Sequence, residues 1–324
     1  MTEWTLSRAL NEALRDALRT DDRVVVFGED VGVSGGVFRV TDGLQAEFGE
    51  RRVFDTPISE AAIVGSAVGL AFAGWRPVVE LQFDAFSYPA FEQIVDHVAK
   101  MRMRTRGRVD MPITIRIPAF GGIKGKEHHG ESPETYYAHT AGLKVVVPSS
   151  ALDGYTLLRH AIADPDPVVV LEPKARYWTK EEGALDADAP GIGVGRVLRD
   201  GGDVTLLAYG AMVARIAEAA TQLADAGIEA RVIDLRSLSP LDEDLLRRSA
   251  EETGRIVVVH EAPRHAGLGA EIAARTMELA FDSLAAPIVR VTGWDTPYPP
   301  ASLEDGYLPS VERIVAVTKE TVAY

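Results

Sequence analysis

The chain has 324 residues, and 48 acidic against 34 basic side chains leave it with a formal net charge of −14, which disfavours nucleic acid or an anionic membrane surface as a partner. It contains no cysteine, so disulfides, thiolate catalysis and cysteine-ligated metal are excluded. The length suits about two domains, and 46% hydrophobic with 25% charged residues is ordinary for a globular protein.

The opening stretch reads as an amphipathic helix over Thr5–Leu18, with Leu6, Leu10, Ala13, Leu14 and Ala17 on one face. Its acids and lack of an apolar core run set it apart from a signal peptide. No later run approaches the ~20 apolar residues of a membrane span, and a cytoplasmic protein is the expectation. Arg23–Phe27 reads as a buried strand. It ends in Gly28-Glu29-Asp30 and a glycine-rich turn, the kind of place where open α/β sheets keep ligands. The glycines do not form GxGxxG, so a dinucleotide fingerprint is rejected. By residue type alone Glu29 reads better as a solvated loop acid.

Val53 and Phe54 end a strand, and a helix begins near Ser59 within TPISEAAIVGSAVGLA. Ser59 is an N-cap residue type and Glu60 falls in the first turn, where negative charge is favoured. On those grounds alone Glu60 is a helix-end acid. Ala62, Ser66, Gly69 and Ala73 recur at spacings of three and four, a stripe of small side chains that another backbone could approach. Arg76–Phe83 reads as a strand and Ala90–Thr105 as a helix with a basic end. Met111–Ile117 is a strand, and the glycines after it make residues 119–132 an exposed loop carrying Lys124, Lys126, His128 and His129. A histidine titrates near neutrality and can move protons there, though one in a glycine loop is as readily just exposed. Two adjacent histidines without a third ligand make a poor metal site.

Leu143–Val147 and Val168–Leu171 read as strands and Ala151–Ala163 as a helix, which completes an alternating series expected to form a parallel sheet covered on both faces. Residues 181–195 lack apolar periodicity and mark a boundary. A second α/β series follows, with strands at Val204–Ala208, Ala230–Leu235, Arg255–Val259 and Pro287–Val291. Helices fall near Val213–Ala226, Leu241–Ala250, Leu268–Phe281 and Pro309–Ala323. His260-Glu261 is not part of HExxH and reads as structural or interfacial.

TPISEAAIVGSAVGLA resembles the beta subunit of the thiamine-diphosphate-dependent 2-oxo acid dehydrogenases, closest to the branched-chain enzymes. The segments Glu80–Phe83 with Pro89–Gln93, Ser132-Pro133-Glu134 and Ala138–Val146 extend the likeness over essentially the whole chain. The resemblance implies an α/β fold of two domains. The first, at 1–185, is a parallel-sheet pyrimidine-binding thiamine diphosphate domain. The second, at 186–324, is a transketolase-type C-terminal domain.

It further implies that Glu60 is catalytic, hydrogen-bonding N1′ of the cofactor's aminopyrimidine, and that Glu29, Ile58, Ser59, Gln82 and Phe86 line the cofactor. By itself Phe86 could equally be a core aromatic. His129 falls on the family's catalytic histidine, with Phe83, Phe86 and His128 on the substrate side. Gly130-Glu131 replaces the family's Ser-Gln. A monovalent cation, K+, is implied near Ile113, Ala161, Asp164 and Asp166, although ADPDP is also a plain turn sequence.

The implied reaction is oxidative decarboxylation of a small 2-oxo acid, with acyl transfer to the lipoyl domain of a dihydrolipoyl acyltransferase core. Pyruvate or acetoin enzymes are the alternative. The family's Mg2+-diphosphate motif, GDG followed by Asn, is absent, and Asn11 is the only asparagine. An alpha subunit supplying that half of the site in an α2β2 assembly is therefore expected. Two rivals stand beside this reading: a non-catalytic scaffold subunit, and a self-sufficient enzyme of transketolase type.

Overall fold

A computed structural model describes residues 2–324. The N-terminal helix runs over Leu6–Thr20, and the Thr5 side chain accepts from the Arg8 amide at its start. Its apolar face, from Leu6 to Leu18, is wholly buried. Part of that face crosses the Ala151–Ala163 helix at Gly154, where a Cβ would overlap Leu6 Cδ1. The absence of a side chain at that one position sets the approach of the two helices.

These helices cover a seven-stranded sheet. In order across it lie Ser237–Ser239, Lys144–Val146, Val168–Pro173, Thr114–Ala119, Arg76–Glu80, Val24–Gly28 and Val53–Asp55. Every residue of Val24–Gly28, Thr114–Ala119 and Val168–Pro173 is buried, as both faces of a covered parallel sheet require. The expected all-parallel sheet needs one correction. Its outermost strand, Ser237–Ser239, runs antiparallel and comes from the second half of the chain. Pairing between residues about ninety apart leaves no local pattern, so periodicity could not show it. Arg236 seals the crossing: its carbonyl accepts from the Val147 amide at 2.8 Å, and its guanidinium pairs with the buried Asp153 at 2.5 Å.

The second sheet has five strands, ordered Val289–Gly293, Ile256–Pro263, Val204–Ala208, Ala230–Asp234 and Arg196–Arg199. The last of these is again an antiparallel edge. Helices Met212–Ala224 and Val311–Val322 pack on one face, and Glu243–Thr253 and Gly269–Ala280 on the other side.

The helix expected over Ala90–Thr105 is present as far as Arg104, with a 3₁₀ turn at Ala85–Ala90 before it and a π-helical stretch at Gln93–Val98 leading into Ala99–Arg104. Pro89 has no N–H to donate, which starts the run as a tighter coil. No described helix is long and apolar enough to cross a membrane.

Candidate active site

The carboxyl ends of Val24–Gly28, Val53–Asp55 and Arg76–Glu80 lie side by side, paired in register. The segments that leave them carry Glu29, Glu60 and Gln82. Glu29 is buried at 7% exposure, and its Oε1 has no hydrogen-bond partner. Burial, then the neighbouring charges of Glu60 and Asp30, push its carboxyl above the usual range. A buried carboxyl without a partner is costly, and here it sits beside a second acid.

Glu60 begins the Glu60–Phe72 helix. Ser59 occupies the N-cap position, but its side chain makes no cap hydrogen bond. The first-turn amides and the half-buried Glu60 carboxyl are therefore left without a local cap. Gln82 donates to Asp30 Oδ2 at 3.0 Å and to the Glu29 carbonyl at 3.4 Å. Ile58, by contrast, is 83% exposed and touches none of this in the isolated chain. The small-residue stripe is likewise turned outward: Ala62, Ser66, Gly69 and Ala73 are exposed, and nothing lies within 4 Å of a Cβ placed on Gly69.

The second half of the site is aromatic. The Phe83 and Phe86 rings meet edge-on at 5.7 Å between centroids. His129 stands against both, at 4.3 Å from Phe83 and 5.3 Å from Phe86. Its Nδ1 lies 2.9 Å from the Glu127 carbonyl, and that contact leaves Nε2 as the other ring nitrogen. His128 is exposed, with a left-handed backbone at φ +71°. Thus Phe83, Phe86 and His129 are brought together and His128 is set apart from them.

The loop is not the free segment its glycines implied. Phe120 donates to the Glu131 carbonyl at 2.9 Å across its base. Gly121 and Gly122 donate to Glu261 and Glu304 of the second sheet's unit at 2.9 and 2.7 Å. His260 beside it is buried with neither ring nitrogen partnered, and burial pulls its pKa down to about 4.

Beneath Phe83 lies a buried pair that the sequence reading missed. Lys174 Nζ donates to Asp84 Oδ2 and stands 6.0 Å from the centre of the Phe83 ring. Burial pushes the Asp84 carboxyl up and the Lys174 ammonium down, and their mutual attraction opposes both shifts. Deeper still, Arg116 bridges Glu172 at 2.7 Å and Glu80 at 2.5 Å. The signal for these networks was available: Arg116 and Glu172 are charges inside otherwise apolar strands.

The residues expected to hold a monovalent cation have protein partners of their own. Asp164 takes Lys144 at 2.7 Å, and Asp166 takes Arg102 at 2.6 Å. The Ile113 carbonyl accepts from the Val168 amide at 3.0 Å and the Ala161 carbonyl from the Asp164 amide at 3.3 Å. Asn11 is also occupied, donating to the carbonyls of Val40 and Asp42 at 2.8 and 3.0 Å. Among the described residues no cluster of three His, Asp or Glu side chains could hold a metal.

Acids and aromatics gathered at the carboxyl ends of a covered parallel sheet lie where open α/β folds bind their ligands. The transketolase pyrimidine-binding domain matches residues 2–179, and the transketolase C-terminal domain matches residues 193–314. The chain belongs to this thiamine-diphosphate-dependent family, among the beta subunits of the 2-oxo acid dehydrogenases. It is 56% identical over 96% of its length to the 3-methyl-2-oxobutanoate dehydrogenase subunit beta of Mycobacterium tuberculosis, covering 90% of that protein. To the pyruvate dehydrogenase E1 component subunit beta of Leifsonia xyli it is 51% identical, covering 98% of this chain and 94% of that one. A solved split-gene transketolase, described as an inactive beta4 tetramer, superposes with a TM-score of 0.80 at 26% identity, over 98% of both chains.

Proposed function

We propose that the chain is the beta subunit of a 2-oxo acid dehydrogenase acting on branched-chain 2-oxo acids such as 3-methyl-2-oxobutanoate. The observation that carries the site is the juxtaposition of Glu60 with the buried, partnerless Glu29 carboxyl, tied by Gln82 to the segment that bears Phe83 and Phe86, against which His129 stands. An aminopyrimidine, with ring nitrogens and an exocyclic amine between apolar faces, satisfies that combination. Thiamine diphosphate, when bound, supplies the thiazolium carbon that adds to the 2-oxo group and takes up the electron pair released with CO2.

The chain's own residues do the rest. Glu60 holds a proton at N1′ of the pyrimidine. Glu29, its carboxyl raised by burial and by the charge of Glu60, faces the pyrimidine beside Glu60, and Gln82 holds the Glu29 carbonyl and the Asp30 carboxylate in place. Ile58 and Ser59 line the entrance, and Phe86 packs on the ring. Phe83 and Phe86 exclude water from the acyl group. His129 moves a proton at the lipoyl sulfur that leaves when the acyl group transfers, with His128 at the rim where the lipoyl domain docks.

The diphosphate and Mg2+ cannot be held here in the family's way, since GDG is absent and Asn11 is committed to backbone carbonyls. We assign that half to an alpha subunit in an α2β2 assembly, which in turn serves a dihydrolipoyl acyltransferase core. For K+ the donors left are main-chain oxygens around Ile113, Ala161 and Asp164, and no step depends on it. We place the division between the two domains at 185/186. A cytoplasmic location belongs to the same reading.

The test is to purify the chain with its alpha partner and compare kcat/KM for 3-methyl-2-oxobutanoate and pyruvate. A preference of at least ~10-fold for the branched acid is expected, the order set by added methyl groups in an apolar pocket. Preference for pyruvate would move the chain to the pyruvate enzymes, the alternative favoured by its 51% identity to one of them. Full turnover by the isolated chain would overturn the shared site.

A further inference from the structure

We propose that the C-terminal unit holds the acyl-transfer histidine in place: Glu261 and Glu304 are positioning residues for His129, acting through the amides of Gly121 and Gly122. The inference rests on the reading of His129 given above and extends it to a part of the chain with no assigned role.

The loop from Phe120 to Glu131 is closed at its base by one backbone hydrogen bond of 2.9 Å. Such a compact loop is held by what it packs against more than by its own ladder. Immediately inside the base, two consecutive amides leave the first domain altogether. Gly121 N–H donates to Glu261 Oε2 at 2.9 Å and Gly122 N–H to Glu304 Oε1 at 2.7 Å. Both carboxylates are buried, at 4% and 1% exposure, and neither forms an ion pair among the described residues. Burial raises the Glu261 carboxyl, and the Gly121 amide opposes that shift. Burying a carboxylate without a cation is costly unless hydrogen bonds offset it; each of these two accepts an amide of the histidine loop, while Glu304 Oε2 stays without a partner.

The far end of the loop is held from the same side. The Tyr298 ring fills the space that a Cβ on Gly121 or on Gly130 would need, so one aromatic side chain touches both flanks. Gly130 directly follows His129. Gly122, at φ +91°, takes a backbone that other residues avoid, which lets its amide turn toward Glu304. Within the loop, His129 N–H donates to the Lys126 carbonyl at 3.1 Å, and the ring rests on Phe83 and Phe86. The histidine is therefore set between a floor from the first domain and a clamp from the second. An outer pair, Lys124 with Asp305 at 3.0 Å, is fully exposed and adds little.

The experiment uses the assembled complex. Hydrogen exchange by mass spectrometry follows the peptide spanning 119–131. In parallel, acyl transfer to a lipoyl domain is compared with decarboxylation read by an artificial electron acceptor. Glu304→Ala should speed exchange in that peptide by about 10- to 100-fold, the loss of one charge-assisted hydrogen bond. It should lower acyl-transfer kcat about 10-fold more than decarboxylation, with the KM for the 2-oxo acid unchanged. Glu304→Gln keeps an acceptor oxygen and should recover most of both. Should Glu304→Ala fail to assemble, Glu304→Asp keeps the charge, withdraws the oxygen and should show the same selective loss. Unchanged exchange, or a parallel fall in both activities, would overturn the positioning role. His129→Ala is run alongside: if it leaves acyl transfer intact, the functional reading of His129 fails, and the clamp then stands or falls on exchange alone.

Discussion

Around Glu60 the chain presents an open face. Ile58 is exposed at 83%, Ser59 caps nothing, and the Glu29 carboxyl lacks a partner. Around His129 the opposite holds: the loop is closed at its base, held by two carboxylates and braced by Tyr298. The first region has polar and apolar groups waiting for contacts, whereas the second is held by contacts from the second domain. A site divided in this way needs something added on one side only, which fits a cofactor and an alpha subunit arriving at the Glu60 face.

The largest effect should come from the open side. Glu60→Gln should leave folding and partner binding intact while lowering turnover by about 10²–10⁴, the range for a positioned acid–base group. Steady-state assay of the assembled complex checks this, and near-normal turnover would remove Glu60 from the mechanism and favour a scaffold role. On the closed side His129→Ala should act selectively, impairing lipoyl acylation more than decarboxylation measured with an artificial acceptor. His128→Ala, altering an exposed side chain, should be milder. Equal effects of the two histidines would erase the distinction between ring and rim.

The floor of the closed side can be broken separately. Lys174→Met leaves Asp84 buried without its cation and should cost about 3–5 kcal/mol of stability, read by urea unfolding. Loss below about 1 kcal/mol would mean that water reaches Asp84.

A pH test addresses the junction between domains. Burial raises the Glu134 carboxyl to about 7, and its Oε1 accepts from Tyr209 at 2.7 Å across the junction. The folded chain thus binds this proton where the unfolded chain, near 4.5, has released it. The contribution is present below pH ~4.5 and lost as pH rises through about 7, amounting to about 3 kcal/mol over that window. Glu134→Gln should flatten that part of the stability–pH curve, and an unchanged slope would count against the assignment. The smallest effect belongs to Asp305→Asn, which removes only the exposed pair with Lys124 and should shift stability by less than about 1 kcal/mol.

Sequence alone determined the local and chemical layer. The buried strands announced themselves as apolar runs, and the helix at Ala151–Ala163 was readable to the residue. Glu60 was readable as a first-turn acid, and the likeness around TPISEAA named the chemistry. These features depend on neighbours within one or two turns, where spacing and residue type suffice. What only the tertiary structure decided depends on partners far apart in the chain. The Ser237–Ser239 strand crosses into the first sheet, Lys174 pairs with Asp84 ninety residues away, and Glu261 and Glu304 reach the loop at Gly121 and Gly122. A glycine-rich loop reads as free because its own residues cannot pack. It is held because carboxylates from another domain must bury their hydrogen bonds somewhere, and only the folded chain brings those groups together.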